Sequence, residues 1–167
     1  MSKKGMNWFY WAGLTFGFAY FPGLCRWWIT REPAAQLQLN DEERLKGTLA
    51  QFSQAKAHPK DVAIVKREGF QLYMRSSRQA LAQGTHAFAE DAKLISTNWG
   101  FRIEDIRHEL PVQLWYGRLD TNCPLVQGEE TAQRIGANAT LRVEDETHMS
   151  IHVNWREQIL EELVRYL

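Results

Sequence analysis

"PVQLWYGRLDTNCP", residues 111–124, decides the fold. Val112–Tyr116 is a nearly continuous apolar run held between Pro111 and Gly117. A run that does not alternate suits a strand buried on both faces, as in a parallel sheet. Pro124 then opens a helix that Gly136 ends. "ATLRVE" (139–144) reads as a second strand. "NWREQILEELVRYL" (154–167) reads as a final amphipathic helix, with Trp155, Ile159, Leu160, Leu163 and Leu167 on one side. Strand, helix, strand, helix is α/β order with right-handed crossovers. Two strands alone make a poor parallel sheet with both edges open. The run at 111–117 is too apolar for an edge in water. The sequence therefore behaves like the C-terminal end of a larger sheet whose first strands are absent.

Upstream the pattern is helical, which divides the chain into a helical region, 1–98, and an α/β region, 99–167. Asn40 before "DEERL" is an N-cap with Glu43 three residues on, and Leu45, Leu49 and Phe52 follow as an apolar stripe. His58-Pro59 breaks that helix. A second helix begins near Lys60 and, with an interruption at Gly69, continues into "SSRQALAQGTHAFAEDAKLIS" (76–96); Gly84 weakens it by about 1 kcal/mol relative to alanine. The first residues are aromatic and carry no charge between Lys4 and Arg26. Trp11, Leu14, Phe18, Phe21, Cys25 and Trp28 recur at spacings of three and four, one helical stripe. Residues 5–25 barely reach the ~20 apolar residues of a membrane span. Four glycines, Asn7, Thr15 and Pro22 argue for an aromatic helix covering an apolar site instead.

Lys plus Arg and Asp plus Glu both total 20, so no basic excess points to nucleic acid or an anionic membrane. Cys25 and Cys123 fit no zinc spacing or disulfide framework, which points to a reducing, cytoplasmic setting; a membrane anchor or secretory segment at 5–25 is the alternative.

In α/β sheets functional groups gather beyond the carboxyl ends of the strands. Asp120 follows the first strand and His148 the second. A buried carboxylate fixes an imidazole's tautomer, and the imidazole takes a proton from a nucleophile; in α/β-hydrolases the acid precedes the histidine. Alone, Asp120 is an ordinary turn residue and His148 an ordinary surface histidine. Their joint placement favours the catalytic reading. His148 and His152, four apart, could share one helical face as in zinc sites, with a third ligand from Glu144, Asp145 or elsewhere, but the favoured reading is a loop histidine beside a helix-start histidine. "EDETH" reads as a solvated acidic loop. "NAT" (138–140) is a glycosylation sequon that here marks the turn into a strand.

"RQALAQGTHAFAEDAKLISTNWGFRIEDIRHELPVQLWYGRLDTNCP" and "RVEDETHMSIHVNWREQIL" carry a family resemblance. With "KGMNWF" and the aromatic run after it, they resemble the C-terminal half of an α/β-hydrolase with a helical cap. The resemblance spans nearly all of this chain but only the later half of the family's domain. It implies Asp120 as triad acid, His148 as triad base, no cofactor or metal, and a small apolar or aromatic substrate beneath the cap. The family usually has glycine immediately before the histidine. Thr147 stands there, and a β-branched residue resists positive φ, so the histidine loop is expected to be displaced. No G-x-S-x-G occurs. "GLTFG" (13–17) comes nearest, but too little chain precedes it for a sheet, and Thr15 would strain the elbow. The chain alone is therefore expected to be inactive. The competing readings are a non-catalytic module that self-associates through its exposed sheet edge, and a membrane-anchored short protein.

Overall fold

The computed structural model describes residues 4–95 and 97–165. It is a mixed α/β chain with one two-stranded parallel sheet among the described residues. It divides into two compact units, residues 12–95 with 97, and residues 4–11 with 98–165. The start of the aromatic run thus groups with the α/β unit rather than with the helical one.

The aromatic run does not form one continuous helix. It breaks into α1 (Trp8–Ala12), a π-helical turn (Gly13–Gly17), α2 (Phe18–Tyr20) and α3 (Pro22–Ile29). Pro22 has no amide proton to continue a ladder, and Phe21 leaves helical geometry at φ −131°, ψ 48°. The expected stripe is therefore only partly inward. Leu14, Phe18 and Cys25 are half-buried, while Trp11, Phe21 and Trp28 are exposed. "GLTFG" is the π-helical turn, not a turn leaving a strand, so Thr15 occupies no nucleophile elbow. No helix among the described residues is long and apolar enough to cross a membrane, which removes residues 5–25 as a helical span.

In the helical unit, α4 (Asp41–Gln54) starts with the expected capping box: Glu43 N donates to Asn40 Oδ1 at 2.9 Å, and Asn40 N to Glu43 Oε2 at 3.1 Å. What α4 buries differs from the expected stripe. Leu45, Leu49 and Phe52 are half-buried, whereas Arg44 and Thr48 are buried. The Arg44 guanidinium donates to Asp41 Oδ1 and the Met74 carbonyl, each at 3.0 Å, to Ser77 Oγ at 2.9 Å, and to the Ala34 carbonyl. This buried cation is tolerated because a carboxylate and aligned carbonyls surround it. α5 (Pro59–Val65), α6 (Phe70–Ala80) and α7 (His86–Ile95) complete the unit, with Ile64, Val65, Phe70, Met74, Ala89 and Ala92 in its core. The long second helix of the sequence reading is thus three helices; its expected last residue, Ser96, lies outside the described residues. Gly84 lies between α6 and α7 at φ +88°, a conformation costly for any residue with a Cβ, so it ends structure rather than weakening a helix.

In the α/β unit, β1 (Val112–Gly117) and β2 (Ala139–Glu144) pair in parallel, from Val112 opposite Ala139 to Gly117 opposite Glu144. α8 (Leu125–Ile135) connects them and ends at Gly136, φ +87°. It lies close on β1: a Cβ at Gly128 would meet the Tyr116 ring at 2.6 Å. Residues 112–116 are half-buried rather than buried on both faces, as expected of a strand flanked by a single neighbour. Asn138 donates to the Leu110 carbonyl at 2.8 Å, a turn role at the sequon. The final helix is two helices, α9 (His148–Asn154) and α10 (Arg156–Val164), separated at Trp155, φ −110°. In the expected stripe Trp155 and Ile159 are half-buried and Leu160 and Leu163 exposed; Leu167 lies outside the described residues.

Candidate functional site

The two strands end side by side, and the segments that leave them stay locked together. Arg118 N donates to the Glu144 carbonyl at 2.7 Å and Leu119 N to the Glu146 carbonyl at 3.0 Å. Gly117 makes this approach possible. A Cβ there would stand 2.2 Å from the Glu146 oxygen and 2.8 Å from its carbonyl carbon. Asp120 and His148 follow at once on the two segments, at the rim where α/β sheets carry chemistry.

Asp120 is buried, and its two oxygens have separate tasks. Oδ1 accepts Asn122 N at 2.8 Å and Cys123 N at 2.9 Å, the ordinary turn role of an aspartate. Oδ2 lies 2.9 Å from His148 Nδ1. The turn reading and the pairing reading are therefore both true of one side chain. Burial, the largest single influence on this carboxyl, pushes its pKa up. The hydrogen bond with His148, the two backbone donors and the imidazolium charge outweigh it and hold the pKa below the usual value.

His148 is the first residue of α9, not a free loop residue. Thr147 caps that helix at φ −90°, ψ 178°, ordinary extended backbone. Its Oγ1 accepts Ser150 N at 3.2 Å, and its own N donates to Ser150 Oγ at 2.8 Å. The strain expected of a threonine here is absent, because this loop needs no positive φ at position 147; threonine serves as an N-cap instead. Nor is the acidic segment wholly solvated. Glu146 is buried, accepting from Ser150 Oγ and, at 3.1 Å, from Asn154 Nδ2. That network fixes the start of α9 from below. Only a cap at Thr147 with Ser150 three residues on could have hinted at it.

The His148 pKa is raised to about 10, chiefly by the Asp120 hydrogen bond, then by the hydrogen bond to Cys123; burial opposes them, and the Asp120 charge adds to the rise. Cys123 is the neighbour that sequence reading missed. Its Sγ, one oxygen of Asp120 and one ring nitrogen of His148 lie within 4.8 Å of one another. Asp120 and Cys123 are three residues apart on one turn, a spacing with no motif to reveal that His148 joins them. His152 stands edge-on to His148 at 5.7 Å between ring centroids and is outside this trio. Chemically, the arrangement can hold an oriented imidazole against a buried carboxylate with a thiol at its side. Compared with models of known families, with curated proteins and with solved structures, the chain finds no match.

Proposed function

We propose that Asp120 and His148 are the acid and base of a serine-type α/β-hydrolase, in which a nucleophile from sequence beyond this chain attacks an ester, amide or related bond. The observation that carries this reading is the 2.9 Å contact of Asp120 Oδ2 with His148 Nδ1 at the carboxyl ends of adjacent parallel strands. Asp120 holds Nδ1, so Nε2 is the nitrogen left to exchange a proton with a hydroxyl nucleophile. The aromatic character of the first residues of the chain favours a small apolar or aromatic substrate. The acyl-enzyme route needs no cofactor.

A general base works best with a pKa near the operating pH. With the His148 side chain 41% exposed and its pKa at about 10, the ring is cationic at pH 7 and the pair rests as an ion pair. Covering the ring with a nucleophile-bearing segment removes water from the imidazolium and lowers that pKa toward the working range. The chain by itself should not release p-nitrophenol from short-chain esters at an enzyme-like rate.

The test is to read the gene upstream of codon 1 and express any in-frame extension. The expected extension carries a strand, G-x-S-x-G and a helix, and the longer protein reacts with a fluorophosphonate probe. In it, Asp120→Asn should lower kcat by up to about 10⁴-fold. An extension without a nucleophile elbow, or a longer protein whose probe labelling ignores His148→Ala, would overturn the reading.

A further inference from the structure

We propose that Asp120, Cys123 and His148 form a binding site for a thiophilic divalent cation of the zinc class, with the fourth coordination position open. The inference goes beyond the hydrolase reading and stands on these three side chains alone.

Zinc takes thiolate, imidazole and carboxylate ligands at about 2.0–2.3 Å in tetrahedral geometry, which sets ligand atoms about 3.3–3.7 Å apart. The three donor atoms already lie within 4.8 Å of one another, and Asp120 Oδ2 and His148 Nδ1 within 2.9 Å. Binding requires Asp120 Oδ2 and His148 Nδ1 to part by about 0.4 Å (3.3 − 2.9) as the cation replaces the proton between them, and the rest of the adjustment falls on the one exposed member, Cys123, whose thiol can swing about its side-chain torsion while its backbone N stays bonded to Asp120 Oδ1. Two ligands therefore come from one tight turn and the third from the first residue of α9, whose cap is fixed by Thr147 and Ser150.

Outer support is in place as well. Asp120 Oδ1 keeps its two backbone donors while Oδ2 faces the trio, the arrangement that orients a ligating carboxylate. One sulfur, one nitrogen and one oxygen exclude calcium and magnesium, which require several oxygens, and suit a borderline-soft cation. Three protein ligands leave room for a water or a ligand atom. The cation would occupy the same Asp120 oxygen that His148 now faces. Metal binding and the acid–base pairing of these residues are then mutually exclusive, and the cation would act as an off-switch for any proton transfer by His148.

The experiment uses the full chain, reduced and stripped with EDTA, titrated with Co²⁺ as a spectroscopic stand-in for zinc. The expected result is one Co²⁺ per chain with a thiolate-to-cobalt charge-transfer band, bleached by Zn²⁺. The band should vanish in Cys123→Ser and persist in Cys25→Ser. His148→Gln should weaken binding at least tenfold. Cys123 is exposed, so its serine variant should keep the far-ultraviolet circular dichroism of the parent. Absence of the band, its survival in Cys123→Ser, or a band indifferent to His148→Gln would each overturn the site. None of these readouts depends on hydrolysis, so failure here leaves the hydrolase reading standing, and the converse holds.

Discussion

Gly117→Ala probes the contact that brings the two loops together. Gly117 is not among the residues with positive φ, so alanine brings no dihedral penalty there, only a methyl group. That methyl would lie 2.2 Å from the Glu146 carbonyl oxygen, against a floor of 3.0 Å for real Cβ contacts, so the backbones must part by about 0.8 Å (3.0 − 2.2). Neither side can rotate away, because the atoms it meets are backbone. An opening of that size stretches the Leu119 N to Glu146 O bond, now 3.0 Å, out of hydrogen-bonding range. Overpacking costs about 1–3 kcal/mol and the lost hydrogen bond about 1, for a total of about 2–4 kcal/mol. Urea unfolding followed by far-ultraviolet circular dichroism measures the stability term. Nitrogen-edited NMR of the His148 ring in EDTA measures the site: as Nδ1 leaves Asp120, its pKa should fall from about 10 toward 6.5. A variant within about 0.5 kcal/mol of wild type, with an unchanged His148 titration, would refute the idea that this glycine sets the site.

Three further outcomes are expected. His148 has a raised pKa, so its stabilisation is full below about pH 6.5 and is lost as pH rises through about 10; Asp120 has a lowered pKa, so its contribution is full above about pH 4 and is lost as pH falls through its folded value. With the His148 ring 41% exposed, solvent screening limits this contribution to ~1–3 kcal/mol. Urea midpoints at pH 6 and pH 10.5 should therefore differ more in wild type than in Asp120→Asn, and equal differences would sink the ion-pair account. Arg44→Met should destabilise by about 1–3 kcal/mol, because the Ala34 and Met74 carbonyls lose their buried donor while Asp41 keeps Arg78 as a partner; a thermal melt unchanged by this substitution would contradict the role given to the buried guanidinium. Gly84→Ala, at φ +88°, should destabilise by about 1–2 kcal/mol, while Gly23→Ala, inside α3 with open space around it, should stabilise by about 0.5–1 kcal/mol; the same sign for both would refute the dihedral argument.

Local chemistry made much of this protein readable from its sequence. The capping box at Asn40, the helix start at His58-Pro59, the helix end at Gly136 and both strands depend on neighbours a few residues away, and each is found within a residue or so of its expected place, although the helix expected to break at His58-Pro59 already ends at Gln54. The juxtaposition of Asp120 and His148 was legible because each follows a strand, and adjacent parallel strands end at one rim. What the sequence could not disclose depends on partners far along the chain. Arg44 is buried because Met74 and Ser77 come to it from α6, not because of its place on α4. Thr147 can cap α9 because this loop runs through extended backbone, a path held by the close approach of Gly117 to Glu146 and by the bonds that Glu146 accepts. Cys123 joins the pair only because the turn that Asp120 ties together folds back on α9. Sequence by itself determined the Asn40 cap, both strands with the helix between them and the two strand-end residues, through short-range sterics and hydrogen bonding, but not where the longer helices break. Tertiary structure alone decided which charges are buried and which thiol stands beside the histidine, since both require atoms tens of residues apart to meet.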